Sequence, residues 1–570
     1  MTTPMLALIA ATTRRTREAF IRKTRRPGEA QEKVLFSLLR AHQQTELGQD
    51  LGLAAVKTVE QFCDRIPVQP YQFYEPYLDR IAQGEANVMT PNPVIYLNLT
   101  SGSTGKKKLI PVTHVARRVR SHANQLGMGF AFEATRRHKR PIGKMLLTSS
   151  TQLLGHTPAG IPYGPVSVGD LRMAGFLHRQ VFAHPHDALR PADSLARHYV
   201  CLLFALRNPQ TGVLGANFPV LGLRLCDYLD HHADALLEDL ELGTIAPWLK
   251  LEPELRHTLE RHLAPAPRRA AQLKAILKAE GRLTPKLAWP NLSFIVTARG
   301  GTSNFYFERY PDYFGDTPIF GGLYASAEAV FGIYPDFNTD GTVLSLDNGF
   351  YEFIPPDQWE VDQPKTLLAE EVRVGESYRI LVTNHNGFYR YDIGDVVEVI
   401  GFYNQTPLVT FRHRRGGLLS STTEKTTEFH ATQVMQLLQR EFDSSLENFC
   451  ITLSGDRIPP HYLVNIELPS GYSLDNPQAF IARFDQRLQD IHTSYAVKRR
   501  DQVPPPRLRI LSPGSFSALR QRLLQKGIPD SHIKFPKVSE DRQFLAGLTI
   551  EQEVRMPGDS HELRAHPITK

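Results

Sequence analysis

Thr100-Ser101-Gly102-Ser103-Thr104-Gly105-Lys106-Lys107-Lys108 is the stretch from which the rest of this chain is read. It gathers two glycines, four hydroxyls and three lysines in one short run. An extended apolar segment, Val94-Ile95-Tyr96-Leu97, precedes it. Leu109-Ile110-Pro111-Val112-Thr113-His114 follows, and a helix is predicted from Val115. Glycine lets backbone N–H groups approach an anion, hydroxyls add donors and lysines add charge, so the composition suits a polyphosphate. The run is not a Walker A loop, because counting from Gly102 puts the second required glycine on Lys107. On composition alone a solvated surface turn fits equally well, and the decision rests on the rest of the chain.

The 570 residues are 41% apolar and 22% charged, an ordinary balance for a soluble protein with more than one core. The charge of +7 is a small difference between 66 basic and 59 acidic residues. It favours anionic substrates without marking a nucleic-acid binder. Cys63, Cys201, Cys226 and Cys450 are scattered, with no zinc-type spacing, which fits a reducing compartment. No apolar run reaches bilayer length, and Met5 to Ala11 makes a poor secretory signal. A cytoplasmic monomer without stable membrane insertion is expected.

Along the chain, Arg14 to Arg26 forms a basic opening, read as a helix with a solvated charged side. Leu35, Leu38 and Leu39 recur at helical spacing, and Thr58 is a predicted N-cap. Leu146 to Ser150 reads as a strand, and the glycine- and proline-rich Gly155 to Gly169 as a loop. Ser194 to Leu206 is an apolar helix in which Tyr199 and Cys201 belong to the core, and Leu236 to Lys286 is a polar helical excursion. Strands are predicted over 292–297 and 318–323, the second leading into Tyr324-Ala325-Ser326-Ala327-Glu328. Two hairpins are predicted, one turning at Asp347-Asn348-Gly349 and one at Asn384-His385-Asn386-Gly387. Arg412 to Thr427 has the composition of a hinge. A small α+β region follows: helices near 431–442, 476–491 and 515–526, and strands at 448–453, 461–467 and 507–512. The end, from about Gln552, reads as poorly ordered. The fold class is α/β: a large N-terminal domain (1–415) of α/β sheets with a β-rich subdomain, a hinge (416–430), and a small mobile α+β lid (431–570).

Thr100 to Lys108, Tyr324 to Glu328 and Tyr389-Arg390-Tyr391-Asp392-Ile393-Gly394-Asp395 resemble, in order and separation, the motifs of adenylate-forming enzymes. The chain most resembles the auxin-responsive Gretchen Hagen family of acyl acid-amido synthetases. Lys108-Leu109-Ile110-Pro111, Tyr351-Glu352-Phe353-Ile354-Pro355 and Ile533-Lys534-Phe535-Pro536-Lys537 carry that likeness, as does Gln31 to Gly84. The chain departs from the plant pattern in a first loop one residue shorter, in Ala327 for serine, in Asp392 and Ile393, and in the Lys/Arg exchange at Arg415 and Lys537. These changes leave the nucleotide chemistry intact, argue against plant-hormone substrates and fit a bacterial-type member.

The resemblance implies ATP and Mg2+ as cofactors, and a small carboxylic acid and an amino acid or amine as substrates. Ser101, Ser103 and Thr104 would donate to phosphates, Gly102 and Gly105 would bring backbone N–H groups close, and Lys108 would supply charge. Glu328 would hold the magnesium ion, Tyr324 and Ala325 would flank the adenine, and Ser326 would contact the α-phosphate. Asp395 would grip the ribose hydroxyls, Arg414 and Lys425 would reach the nucleotide, and Lys534 would enter from the lid during adenylation. His114 and His156 are read as structural. Tyr163, Phe176, Phe305, Tyr306 and Phe331 are candidates for the pocket wall. The same first half-reaction would serve an acyl-CoA ligase, and a nucleotide-binding scaffold without turnover is the third alternative.

Overall fold

The computed structural model describes residues 4–101, 107–172, 181–300, 307, 310–414, 418–444, 446–525, 535–557 and 559. Gly102, Ser103, Thr104, Gly105, Phe176, Phe305, Tyr306, Arg415 and Lys534 lie outside the described residues. The chain divides into two compact units, one of Met1–Thr100 with Leu109–His413 and one of Ser101–Lys108 with Arg414–Lys570.

In the first unit the basic opening is helix α1 (Pro4–Lys23), followed by α2 (Pro27–His42). The latter buries Leu35, Leu38 and Leu39 on one stripe. Thr58 caps the next helix, its hydroxyl accepting from the Gln61 N–H at 3.1 Å. Strands β1 (Val94–Ser101) and β2 (Lys107–Thr113) lie on either side of the glycine-rich loop. Helix α3 (His114–Arg137) begins on Thr113, whose hydroxyl accepts from the Ala116 N–H at 3.1 Å.

Next come β3 (Lys144–Leu147), β4 (Gly155–His156), β5 (Pro162–Gly164), α4 (Val166–Arg172), α5 (Ser194–Arg207), β6 (Thr211–Gly215), β7 (Phe294–Val296) and β8 (Ile319–Phe320). They complete two four-stranded sheets, ordered β2-β1-β5-β4 and β3-β6-β7-β8. The second is parallel throughout, and parallel strands with intervening helices make the α/β core expected. Tyr199 and Cys201 are core residues of α5. None of the described helices is long and apolar enough to cross a membrane.

The strand predicted over 318–323 is two strands in two sheets. After β8 the chain passes the Tyr334 ring so closely that a Cβ on Gly321 would lie 2.4 Å from it, and Gly322 is left-handed (φ +67°). This kink delivers β9 (Leu323–Ala325) to a different, seven-stranded sheet. That sheet also holds β10 (Val330–Ile333), β11 (Thr342–Leu344), β12 (Gly349–Ile354), β13 (Ser377–Asn384), β14 (Tyr391–Tyr403) and β15 (Thr406–Arg414), in the order β12-β13-β14-β15-β11-β10-β9.

The hairpin predicted at Asn384 to Gly387 is present, with Val382 opposite Tyr391. The one predicted at Asp347 to Gly349 is absent: β11 pairs with β10 and β15, whereas β12 pairs with β13. Both strands are buried at every position. With no polar face to set register, packing rather than the local turn chooses their partners.

The second unit begins with the short pair β16 (Leu418–Leu419) and β17 (Thr426–Thr427). Helix α6 (Glu428–Glu441), β18 (Asn448–Leu453), β19 (Tyr462–Glu467), α7 (Pro477–Ile491), β20 (Arg507–Leu511) and α8 (Ser515–Gln525) follow close to the predicted positions. A strand missed by the sequence, β21 (Ile550–Arg555), completes the sheet β18-β19-β20-β21. Only its Val554 is buried. The strand is held by its ladder to β20, which leaves no apolar alternation in the sequence to read.

Candidate active site

The hairpin between β9 and β10 carries Tyr324 to Glu328. The Ser326 N–H donates to the Ala329 carbonyl at 2.8 Å, and the Ser326 hydroxyl accepts from Glu328 N and Ala329 N at 3.1 and 3.3 Å. Three other segments clamp the outside of this turn. Arg120 of α3 donates to the Ser326 carbonyl at 3.1 Å, and Asn98 of β1 donates to the Ala327 carbonyl at 3.1 Å. Asn384 and Asn386, in the β13–β14 turn, both donate to the Glu328 carbonyl at 3.0 Å. The backbone of the Ser326–Glu328 turn is therefore held by side chains from distant stretches of the chain.

Its carboxylate is different. Glu328 is only 5% exposed, yet no described residue hydrogen-bonds or pairs with its oxygens. A buried carboxylate without a charged partner is costly unless a cation joins it. Among the described residues no three His, Cys, Asp or Glu side chains gather as a metal site. One carboxylate supplemented by substrate oxygens is the usual way to hold Mg2+, so the residues present fit that ion.

Tyr324 links this hairpin to β14: its hydroxyl donates to Asp395 Oδ2 at 3.0 Å. The Tyr324 ring stacks on Phe331, with centroids 5.0 Å apart and planes 27° apart, and meets Phe411 at 5.7 Å. Asp395 is 2% exposed. Asp392, a departure from the family pattern, is accounted for locally: it pairs with Arg379 of β13 at 3.0 Å and accepts from the Gly394 N–H at 2.8 Å.

A cavity of about 50 Å3 opens beside Glu328. Arg117, Arg120, Asn348, Asn384, His385 and Asn386 form its polar wall, and Tyr96, Val112 and Val166 line its apolar side. Arg117 makes no hydrogen bond or ion pair with any described residue. Burial lowers the His385 pKa below its ordinary value, so the ring is neutral at pH 7. None of these polar residues was singled out from sequence as a site residue. Asn348 and Asn384 to Asn386 were read as turn formers, which they also are.

Thus the structure brings Tyr324, Ser326, Glu328 and Asp395 together, with Ala325 exposed on the same hairpin. Phe331 supports the Tyr324 ring and does not line the cavity, and neither does Tyr163. His114 and His156 are exposed and also lie off the cavity. Lys108 is half-buried on β2. Of Ser101 and Arg414 only the backbone is described, at the ends of β1 and β15.

In the second unit, Glu424 accepts from the backbone N–H groups of Ser421, Thr422 and Thr423 and from the Tyr462 hydroxyl, at 2.5 to 3.0 Å. Lys425 follows with a left-handed backbone (φ +56°) and is exposed. Phe535, next to Lys534 in sequence, packs on Phe516 at 5.3 Å, and Lys537 binds Asn448 at 2.6 Å and lies over the Phe449 ring.

This architecture is shared with solved ligases that join acids to amines or to CoA. A solved acyl acid amido synthetase of the GH3.15 type, in complex with 2,4-DB, superposes with a TM-score of 0.65 at 23% identity, covering 95% of this chain and 97% of that one. A 2-hydroxyisobutyryl-CoA ligase with 2-HIB-AMP and CoA shares the fold at a TM-score of 0.50 and 13% identity, over 88% of this chain and 94% of that one. Residues 16–319, 342–414 and 429–543 match the N-terminal, central and C-terminal domains of the GH3 family, and the chain belongs to that family. Among its relatives, the indole-3-acetic acid-amido synthetase GH3.17 of Arabidopsis thaliana is 27% identical, over 89% of this chain and 90% of its own. A probable indole-3-acetic acid-amido synthetase, GH3.11 of Oryza sativa subsp. japonica, is 28% identical, over 91% and 92%.

Proposed function

We propose that this protein is an ATP-dependent acyl acid amido synthetase. It adenylates a small carboxylic acid with release of pyrophosphate, then passes the acyl group to an amino acid or amine with release of AMP. The observation that carries this reading is the joining of Tyr324 to Asp395 at 3.0 Å on the hairpin that holds a buried Glu328 whose carboxylate has no partner among the described residues. A stacking ring, a ribose acceptor and a cation ligand are what a nucleoside triphosphate needs side by side.

A carboxylate oxygen is a poor leaving group, and transfer to the α-phosphate turns it into part of the better leaving group AMP. The chain's own residues supply position and charge for this step. Tyr324 and Ala325 flank the adenine, Asp395 accepts from the ribose hydroxyls and Ser326 meets the α-phosphate. Ser101, Gly102, Ser103, Thr104, Gly105 and Lys108 cradle the outer phosphates. Glu328 would hold Mg2+, which when bound neutralises phosphate charge. Arg414, Lys425 and Lys534 are assigned to the nucleotide by family resemblance.

A lid that serves two half-reactions must move between them. Leu419, Glu424 and Thr426 are tied to Tyr462, and Ser421 to Pro460, within the second unit. The polar run from Arg412 to Thr427 is the proposed pivot, and these bonds belong to its C-terminal part. The cytoplasm is the proposed location and a monomer the proposed state.

The test combines protein, ATP, Mg2+, a panel of acids and hydroxylamine, with pyrophosphate as the readout. Amino acids or CoA then replace hydroxylamine, and the products are weighed. Acid-dependent pyrophosphate and an amide product support the reading. A thioester formed in preference to any amide would make the protein a CoA ligase, and ATP binding without turnover would make it a scaffold.

A further inference from the structure

The cavity beside Glu328 has a chemistry of its own. About 50 Å3 is far below the several hundred Å3 that enclose drug-sized ligands. Its apolar side, from Tyr96, Val112 and Val166, is enough for a short carbon chain. Polar residues complete its lining, and among them the turn residue Asn348 is 5% exposed. One end of the Asn348 amide meets the Ser345 hydroxyl at 2.5 Å, and the other end, Oδ1, is buried with no partner. The neutral His385 ring beside it hydrogen-bonds to no described residue. Arg117, equally unengaged, gives the cavity a positive charge that draws in a carboxylate.

Resting on the amido synthetase reading, we infer that this cavity takes the acid substrate and selects a short-chain carboxylic acid bearing a hydroxyl or amino group, which Asn348 binds. An aromatic or plain aliphatic acid would leave the Asn348 amide unsatisfied against carbon. A site built to bond a polar group discriminates strongly against the analogue that lacks it. Either orientation of the amide is served by a hydroxyl, which both donates and accepts, whereas an amino group needs the oxygen turned to the cavity.

The test measures kcat/KM for acid-dependent pyrophosphate release by the full-length protein with ATP, Mg2+ and hydroxylamine. The acids are matched pairs: 3-hydroxybutyrate against butyrate, and β-alanine against propionate, with indole-3-acetate as the bulky probe. In at least one pair the substituted acid should exceed its partner, and indole-3-acetate, by about tenfold or more; which pair does so identifies the group bound. Asn348→Leu should bring that ratio close to one. The inference is overturned if the unsubstituted acids or indole-3-acetate are used as well by the wild-type protein, a result that needs no variant. It is also overturned if Asn348→Leu keeps the preference. Both outcomes leave the amido synthetase reading standing, whereas absence of pyrophosphate with every acid overturns that reading and this inference together.

Discussion

Tyr324 and Asp395, 71 residues apart in sequence, are joined by a hydrogen bond of 3.0 Å. The bond ties the β9–β10 hairpin to β14 and sets the tyrosine ring across Phe331. In the proposed function the Asp395 carboxylate, a two-oxygen acceptor, also takes hydrogen bonds from the ribose.

Asp395→Asn should keep the Tyr324 contact and weaken acceptance from the ribose. We expect acid-dependent ATP–pyrophosphate exchange to fall about 10- to 100-fold in kcat/KM for ATP. Tyr324→Phe keeps the ring and should lose less than about tenfold. A larger loss for Tyr324→Phe than for Asp395→Asn would reverse the roles given to the two residues.

Glu328→Gln separates function from stability. The side chain keeps its size and loses a buried charge that has no partner among the described residues. Nucleotide-free protein should be as stable as the wild type or more so, by about 1 kcal/mol, in denaturant titration. Adenylation should fall about a hundredfold, with a raised Mg2+ requirement. Marked destabilisation of the free protein would show that the carboxylate is structural.

Acidification should unfold the first unit partly through His42. Burial first, and the charge of His385 second, lower its pKa to about 4 from the ordinary 6.5. Between those values the unfolded chain takes up a proton that the folded chain refuses. Stability is therefore complete above pH 6.5 and falls by about 1.4 kcal/mol per pH unit as pH drops toward 4. His42→Gln should show a shallower fall of Tm over that window. An unchanged slope would mean that another group governs it.

Gly387 closes the turn that carries Asn384 and Asn386. It is left-handed (φ +88°), and a Cβ there would lie 2.6 Å from the Met89 carbonyl oxygen. Gly387→Ala should cost about 2 kcal/mol or more, read as a lower Tm, and should disturb the clamp on the Glu328 carbonyl. A Tm within a degree of wild type would refute this.

Legibility followed the range of the interactions. The helices at 477–491 and 515–525 and the strands at 448–453 and 462–467 follow local periodicity and caps, and they stand where the sequence put them. Tyr324, Glu328 and Asp395 were singled out because their motifs are local, and the structure brings them together. The clamp of Asn98, Arg120, Asn384 and Asn386 was not, since each residue has an ordinary local explanation in a strand, a helix or a turn. Asp347 to Gly349 carried a strong turn signal, yet it joins strands that do not pair with each other.

By itself the sequence determined the two-part α/β order and the family, because these are carried by periodicity and motifs within a few residues of one another. Tertiary structure alone decided the partners of β11 and β12, the recruitment of polar β21, and the polar cavity beside Glu328. Those features depend on hydrogen bonds and burial between segments up to some hundreds of residues apart. Contacts of that range leave no period or spacing in the chain.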